Sequence, residues 1–461
     1  MPAMRGSQLL GPDVLKALES DPSALDPEVL EELHAEDLAE FVAELPEAEE
    51  GRVLDALPLE LAADVVARLP LERAVELVER RGHERTAPLL LEMAADDRAD
   101  LIGELPEPLR EQVLSAIEAH EPEVAEDVRA LAAYEDDSAG GLMTTEFLQI
   151  GPELTAAEAI DAVRRLAREQ DIESIYQIYV VAYERLVGVV SLRDLILGAP
   201  AQRVSELMSE NVARVAPEDD QELVAQTMAR YDLSVIPVAD AQGRLLGIVT
   251  IDDVVDVLEE EATEDVQKMA AMVPIEESYF QTGFLQFMRS RLTWLVVLFV
   301  GELLTASVMH RYEADVAAVM DLVIFVPLII SSGGNSGSQS SSLIIRALAL
   351  GEMAPRDWPR VLYRELGMGL ALGSMLALVG FARAFMGVAG ADPLAMGLTV
   401  ACSVVAVVTL GTLVGSLMPL MIQRLGLDPA VSSTPFVASL VDVLGLFVYF
   451  TVARFIFALA L

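Results

Sequence analysis

This chain of 461 residues contains little that could do covalent chemistry. Cysteine occurs once, at Cys402, which excludes a disulfide framework and a thiolate metal cluster. Histidine occurs four times, at His34, His83, His120 and His310, with none of the close spacings that ligate a metal. There is no G-x-x-x-x-G-K-[ST] stretch, so nothing suggests nucleoside triphosphate hydrolysis. The opening MPAMRGSQLLGPDVLKALESDP lacks the apolar core of a secretory leader, so the first part of the chain is expected in the cytosol. No lysine follows residue 290, which leaves few cations to neutralise any carboxylate buried beyond that point.

Acidic residues are abundant and unevenly placed. Of the formal net charge of -42, residues through Ser290 carry -41 (22 Lys+Arg against 63 Asp+Glu), and Arg291 onward carries -1 (9 against 10). The chain therefore divides near residue 290 into an acidic part and a neutral, apolar part. A body this acidic repels nucleic acid, so no nucleic-acid partner is expected, and it attracts cations. A purely solubilising surface is the plainer reading of the same charge.

Beyond Arg291, five apolar stretches are long enough to cross a hydrocarbon layer about 30 Å thick. They lie near Leu292 to Met309, Val316 to Leu350, Val361 to Met386, Leu394 to Ile422 and Val431 to Leu459. Arg289, Arg291, Arg346, Arg356, Arg360, Arg364 and Arg424 fall at one side of this pattern, with only Arg311 and Arg383 in the opposite loops. That asymmetry predicts a cytoplasmic N-terminus and, with five spans, an external C-terminus in the cell (inner) membrane. The second stretch, VPLIISSGGNSGSQSSSLIIRAL, sets Gly333, Gly334, Asn335, Gly337 and Gln339 between apolar flanks. Small residues allow close helix packing, whereas amides can hold a cation's water shell, and both readings are open here.

The fifth stretch contains FVASLVDVLGLFVYF, with one carboxylate, Asp442, in an otherwise apolar run and Pro435 freeing a backbone carbonyl before it. An ionised Asp at that depth is costly and so marks a partner, a cavity or a pathway. With so few cations nearby, a cation site is favoured over an Arg pair, and a two-fold dimer would bring two copies together for a divalent ion. Mg2+ keeps its water and meets few carboxylates, which suits a sparse oxygen site. Glu302 in the first stretch is either a second pathway carboxylate or a protonated group bonded between helices.

Two internal repeats organise the acidic part. Leu45-Pro46, Leu57-Pro58, Leu69-Pro70, Met93-Ala94 and Leu105-Pro106 fall on a 12-residue grid, with Arg81-Gly82 on the remaining beat. Each beat predicts a short amphipathic helix, with pairs such as Val53-Leu54 and Val65-Val66 facing inward, stacked as a superhelix. Further on, LMTTEFLQIGPELTAAEAIDAVRR from Leu142 matches LMSENVARVAPEDDQELVAQTMAR from Leu207 at an offset of 65, and GVVSLRDLI from Gly188 matches GIVTIDDVV from Gly247 at an offset of 59. This pair resembles cystathionine-β-synthase (CBS) domains, which often bind adenosine nucleotides. Ser191 and Thr250 would offer hydroxyls to phosphates, and Asp194 and Asp253 would accept from ribose hydroxyls; a structural turn is the alternative. After the second copy, IDDVVDVLEEEATEDVQKMAAM crowds Asp252, Asp253, Asp256, Glu259, Glu260, Glu261, Glu264 and Asp265 on one predicted helix with only Lys268 to offset them. It is a solvated linker or, given its place before the membrane part, a control element that wants cations.

An acidic helical repeat, a CBS pair, an acidic helix and then five spans with PLIISSGGNSGSQ and DPAVSSTPFVASLVDVLG: in this order the chain resembles the MgtE family of magnesium transporters. The resemblance implies a multidomain membrane protein with an all-α superhelical N domain over 1-137, an α/β CBS pair over 138-202 and 203-258, a long connecting (gating) helix over 259-290, and five transmembrane helices over 291-461. It further implies a homodimer in the bilayer, with a Mg2+ path on the two-fold axis at Asp442, Ala438 and the Asn335 region (Gly333, Gly334, Gln339). Regulatory Mg2+ would be held by Asp96, Asp100, Asp220, Glu222, Asp232, Asp253, Asp256, Glu259, Glu261, Glu264, Asp265 and Asp428, and ATP by Arg193 and Asp194. Thr434, where the family often has Asn, and Glu302, where no charge is expected, are departures. The rival readings are a membrane-anchored sensor that does not transport, and an intramembrane aspartyl protease using Asp321 and Asp442.

Overall fold

Short helices set off by proline open the computed structural model, which describes residues 33–169, 172, 174–275, 279, 282–312, 321–387 and 392–460. The opening stretch read above for a leader, and the predicted start of the second span at Val316, lie outside these residues. Contact density divides the chain into two compact units, Met1–Leu258 and Glu259–Leu461.

In the first unit, eight helices follow one another: α1 Ala35–Glu44, α2 Glu47–Leu54, α3 Leu59–Ala67, α4 Leu71–Arg81, α5 His83–Leu91, α6 Ala95–Glu104, α7 Glu107–His120 and α8 Pro122–Leu131. The N-caps of α2 to α7 are Pro46, Pro58, Pro70, Gly82, Ala94 and Pro106, so the 12-residue grid is a row of helix starts. Proline ends each preceding helix because it disfavours helical backbone at the residue before it and has no N–H to continue the ladder. Gly82 takes over on the missing beat with φ +77, a conformation that side chains resist. Helices two apart pack on each other, α1 on α3, α3 on α5, α5 on α7, α4 on α6 and α6 on α8, and successive helices pack as well, chiefly α4 on α5 and α7 on α8. This is the expected stacked superhelix, and Val53, Leu54, Val65 and Val66 lie in its one continuous core.

The CBS repeat follows. Strand β1 (Phe147–Ile150), helix α9 (Ala156–Glu169), β2 (Ser174–Ala182) and β3 (Arg185–Ser191) form a three-stranded sheet, with β1 parallel and β3 antiparallel to β2. After the short helices α10 (Leu192–Leu197) and α11 (Val204–Leu207), the second copy repeats the plan with α12 (Gln221–Tyr231), β4 (Val235–Ala239) and β5 (Leu245–Thr250). The copies exchange leading residues: Thr144 bridges Ile248 of the second, and Ser209 bridges Val189 of the first. The repeated glycines permit this. A Cβ on Gly188 would stand 2.6 Å from Met208 Sδ, and one on Gly247 would stand 2.7 Å from the Thr144 carbonyl. The two copies therefore clasp each other as one body.

The acidic helix α13 runs Ile251–Met269, so it starts earlier and ends earlier than the expected 259-290 span. Thr250 passes directly from strand to helix, and Ala271, at φ 57, stops it. Gln267 then clamps the exit, accepting from Ile275 N at 2.8 Å and donating to Ile275 O at 3.0 Å. Five long helices complete the described chain: α14 Phe284–Arg311, α15 Leu322–Ala349, α16 Trp358–Gly387, α17 Pro393–Arg424 and α18 Thr434–Ala460. Four helical stretches, Phe284–Arg311, Pro355–Met386, Pro393–Arg424 and Thr434–Phe457, have the length and apolarity to cross a membrane. The remaining helix, α15, has 28 residues, long enough at about 42 Å, but its Gly and Ser run dilutes its apolarity.

Candidate functional site

The Gly and Ser run turns out to have two faces. Gly333 and Gly337 lie against α17: a Cβ on Gly337 would stand 3.0 Å from the Gly411 carbonyl, and one on Gly411 or Gly415 would collide with the carbonyl of Gly333 or Gly337. Two G-x-x-x-G faces thus meet backbone to backbone. Gly333, expected beside the ion path, is a packing residue between Val407 and Val441. Gly334, one residue on, faces α18 instead, where a Cβ would stand 3.5 Å from Asp442 Oδ1 and 3.7 Å from Ala438 Cβ. Asp442, Ala438 and Gly334 therefore share one surface. On the same helix Asn335 and Gln339 are exposed, one turn apart, with Asn335 Nδ2 donating to Ser331 Oγ at 3.4 Å. Asp442 itself is half-buried, and among the described residues no Lys or Arg pairs with it.

Hydrogen bonds connect this surface to α13. Ser338 Oγ donates to Thr434 O at 3.2 Å, and Ser341 Oγ donates to Ser432 O at 3.1 Å, fastening α15 to the start of α18. Thr434 Oγ1 in turn donates to the carbonyl of Met269, the last residue of α13, at 3.1 Å. Beside that bond Lys268 Nζ sits 2.7 Å from Glu264 and 2.6 Å from Asp428, in the turn before α18. Burial works against the Lys268 charge, but its bonds to Asp428 and Glu264 outweigh it and raise the ammonium to about 12. Burial, together with the neighbouring Asp428, pushes Asp265 up to about 6. Lys268 thus supplies positive charge among Glu264, Asp265 and Asp428.

A second acidic cluster lies within the first unit. Asp96, Asp97 and Asp100 on α6 face Asp253 at the start of α13. Burial, reinforced by Asp97, raises Asp96 to about 6, and burial, reinforced by Asp96, raises Asp253 to about 7. Asp97 and Asp100 are shifted upward by the same causes but reach solvent, which screens part of the effect. Asp96 Oδ1 is buried without a hydrogen-bond partner, so it lacks the satisfaction that buried polar atoms normally have. Among the described residues no three carboxylates or imidazoles yet converge tightly enough to hold a metal ion alone. The donors suit a hard cation that brings its own water.

These shifts fix a sign. A carboxyl whose folded pKa is raised above the unfolded value of 3.8 binds its proton more tightly when folded, so its stabilising effect is present at low pH and lost as pH rises through about 6 to 7. Without divalent cations, amides of α6 and the first turns of α13 are therefore expected to exchange faster at pH 8 than at pH 5.5, after correction for intrinsic exchange. Mg2+ added at pH 8 should restore protection. Equal protection at both pH values would contradict this.

Other expected residues fall elsewhere in the single chain. Asp220 caps α12 by accepting from Glu222 N at 2.8 Å, and Asp232 ends the same helix in a left-handed conformation, about 18 Å away at its other end. Asp256 and Glu259 are exposed on α13, and Glu261 is half-buried there. Ser191 Oγ and Thr250 Oγ1 each donate at 2.6 Å to Asp194 and Asp253, closing the same turn in both CBS copies. A nucleotide would compete with that turn for both hydroxyls; Arg193 is exposed beside it. Asp321 immediately precedes α15, without a capping side-chain bond, at the level of Tyr449, whose hydroxyl donates to Leu322 O at 2.8 Å, about 10 Å along α18 from Asp442. It cannot form a carboxylate dyad with Asp442. Two contributors went unread in the sequence: Asp97, although it adjoins Asp96, and Glu365 on α16, which accepts from Ser340 Oγ at 2.8 Å. Glu365 directly follows Arg364, one turn after Arg360, and so reads as interfacial fringe.

A bundle of apolar helices with a carboxylate, Asp442, that no Lys or Arg pairs among the described residues, tied through hydrogen bonds to an acidic helix, fits a membrane transport protein for cations rather than an enzyme. Family models agree: residues 326–452 match MgtE, a divalent cation transporter, residues 33–137 match the MgtE intracellular N domain, and 139–199 and 204–260 match CBS domains. The chain is 43% identical over 439 residues to the magnesium transporter MgtE of Thermus thermophilus, covering 95% of this chain and 96% of that one. It is 33% identical over 426 residues to the Bacillus subtilis magnesium transporter MgtE, covering 92% of each. A crystal structure of the soluble part of a magnesium transporter superposes with a TM-score of 0.50 at 33% identity, covering 54% of this chain and 96% of that one. The chain belongs to the MgtE family of divalent cation transporters.

Proposed function

We propose that the chain imports hydrated Mg2+ through a path at Asp442 and shuts that path when cytosolic Mg2+ is plentiful. The observation that carries this reading is the surface made by Asp442, Ala438 and Gly334: one carboxylate without a cationic partner among the described residues, facing small residues that leave room for a cation's water. Exposed Asn335 and Gln339 on the same helix would be costly against lipid, so they are best covered by a second copy and by water. That supports a homodimer with the path on its two-fold axis. All five long helices would then cross the membrane, α15 being shielded from lipid by its neighbours, with the N-terminus cytoplasmic and the C-terminus outside.

For regulation, Mg2+ when bound supplies positive charge that offsets clustered carboxylates. Asp96, Asp100 and Asp253 would hold it in the first unit, and Glu261, Glu264, Asp265 and Asp428 at the joint. Asp256 and Glu259 add to the attraction from α13, and Asp220, Glu222 and Asp232 would need a second copy to complete a site. The chain's part is electrostatic. Uncompensated carboxylates push α6 from α13, and compensated ones let α13 settle, with Lys268 and the Met269–Thr434 bond carrying its position to α15 and α18. Each weak site contributes only its differential affinity for the two states, so several together give a steep response. ATP would bind at Arg193 and Asp194, with Ser191 and Thr250, as a second modulator.

The test is uptake by liposomes containing the purified full chain. Mg2+ influx above that of empty liposomes supports the reading. Liposomes that hold folded protein and take up none would leave the non-transporting sensor.

A further inference from the structure

Glu302 lies on α14, whose surface is almost entirely exposed except along one stripe. Trp294, Leu298, Glu302 and Thr305 are half-buried at helical spacing, and Tyr312 at the end of the stripe is buried. That stripe is the face turned toward α18, the helix on which α14 packs. Both ends of the pair are pinned. At the start, Val273 N donates to Ser290 O at 3.2 Å while Thr434 Oγ1 donates to Met269 O at 3.1 Å, so α14 and α18 begin at the same short segment. At the far end, Tyr312 Oη and Thr451 Oγ1 are 3.1 Å apart, and Tyr312 stacks on Phe450 at 5.3 Å. The two helices therefore run parallel. Counting back from the upper pin, Glu302 is about 15 Å below Tyr312 and Asp442 about 13.5 Å below Thr451, at the same level of the bundle. The Glu302 carboxylate is close enough to act on Asp442 electrostatically.

We propose that Glu302 is a second carboxylate of the ion pathway and sets which divalent cation the pathway favours. The inference rests on the reading of Asp442 as the cation site and deepens it. One carboxylate per copy with room for water suits Mg2+, which gives up its water reluctantly, whereas a second carboxylate per copy at the same level favours cations such as Mn2+ that exchange water readily. Glu302 thus broadens the pathway toward Mn2+.

The experiment measures Mn2+ and Mg2+ uptake by the full chain in liposomes, comparing wild type, Glu302→Gln and Glu302→Asp. Glu302→Gln is expected to lower the Mn2+ to Mg2+ uptake ratio about tenfold, while Glu302→Asp, which keeps the charge, retains most of it. If Glu302 instead serves only as a protonated bond between helices, Gln behaves as wild type and the shorter Asp is the damaging change. That pattern, or an unchanged ratio in both variants, overturns the inference and leaves the Asp442 reading standing. A wild type that takes up neither ion overturns both.

Discussion

Asp442→Asn is expected to cut Mg2+ influx by more than about 100-fold, without loss of folding or membrane insertion. The substitution keeps the size of the side chain and its capacity to meet a water shell, but removes the charge. A divalent cation entering the bundle loses much of its bulk solvation, and the fixed negative charge of Asp442, doubled in the proposed dimer, would offset that loss. Because Asp442 has no Lys or Arg partner among the described residues, its neutralisation leaves no cation stranded, and stability should hold or improve. That separates the prediction from a structural role: a carboxylate cementing the bundle would give a poorly folded variant rather than a well-folded inactive one. The comparison is influx per folded protein, with folding checked by thermal melting in detergent. Influx within a few-fold of wild type would move the path away from Asp442.

The second large effect concerns the first-unit cluster. Replacing Asp96, Asp100 and Asp253 together by Asn removes the repulsion between α6 and α13 and the charge that attracts a divalent cation. Two outcomes should appear together. In chelator, α6 and the start of α13 become better protected than in wild type, because the carboxylates raised by burial no longer press for charge. In transport, the response to cytosolic Mg2+ flattens: a rise that shuts wild type should change influx through the triple variant by less than about twofold, since fewer differential sites remain. Neutralising Glu259, Glu260 and Glu261 on α13 acts in the same direction, leaving the path open at high Mg2+. A triple variant that keeps the full wild-type response would show that this cluster is merely a solvated surface.

What the sequence made legible was local or repeated. The 12-residue grid reads because each beat carries its own stop signal, and the structure sets a helix N-cap at every one, from Pro46 to Pro106. The CBS pair reads because it occurs twice, and the spatial reason for Gly188 and Gly247 is the same crowded approach of the other copy. Asp442 reads because a carboxylate in an apolar run is conspicuous. What stayed hidden depends on contacts between distant positions. Lys268 and Asp428 are 160 residues apart, and nothing local shows that they pair. Thr434 reads as a lost amide near the path, yet its hydroxyl ties α18 to the end of α13. Gly333 and Gly334 look alike in sequence, but helical rotation sends one to α17 and the other to Asp442.

The central claim is that one chain both conducts Mg2+ and senses it. Its most direct test is Mg2+ influx into liposomes holding the full chain, measured in one preparation at low and then high Mg2+ on the side of the acidic unit. The account predicts rapid influx at low Mg2+ and near-complete closure at high Mg2+, with a steep transition. Influx that simply saturates, with no closure as Mg2+ rises on that face, would contradict it.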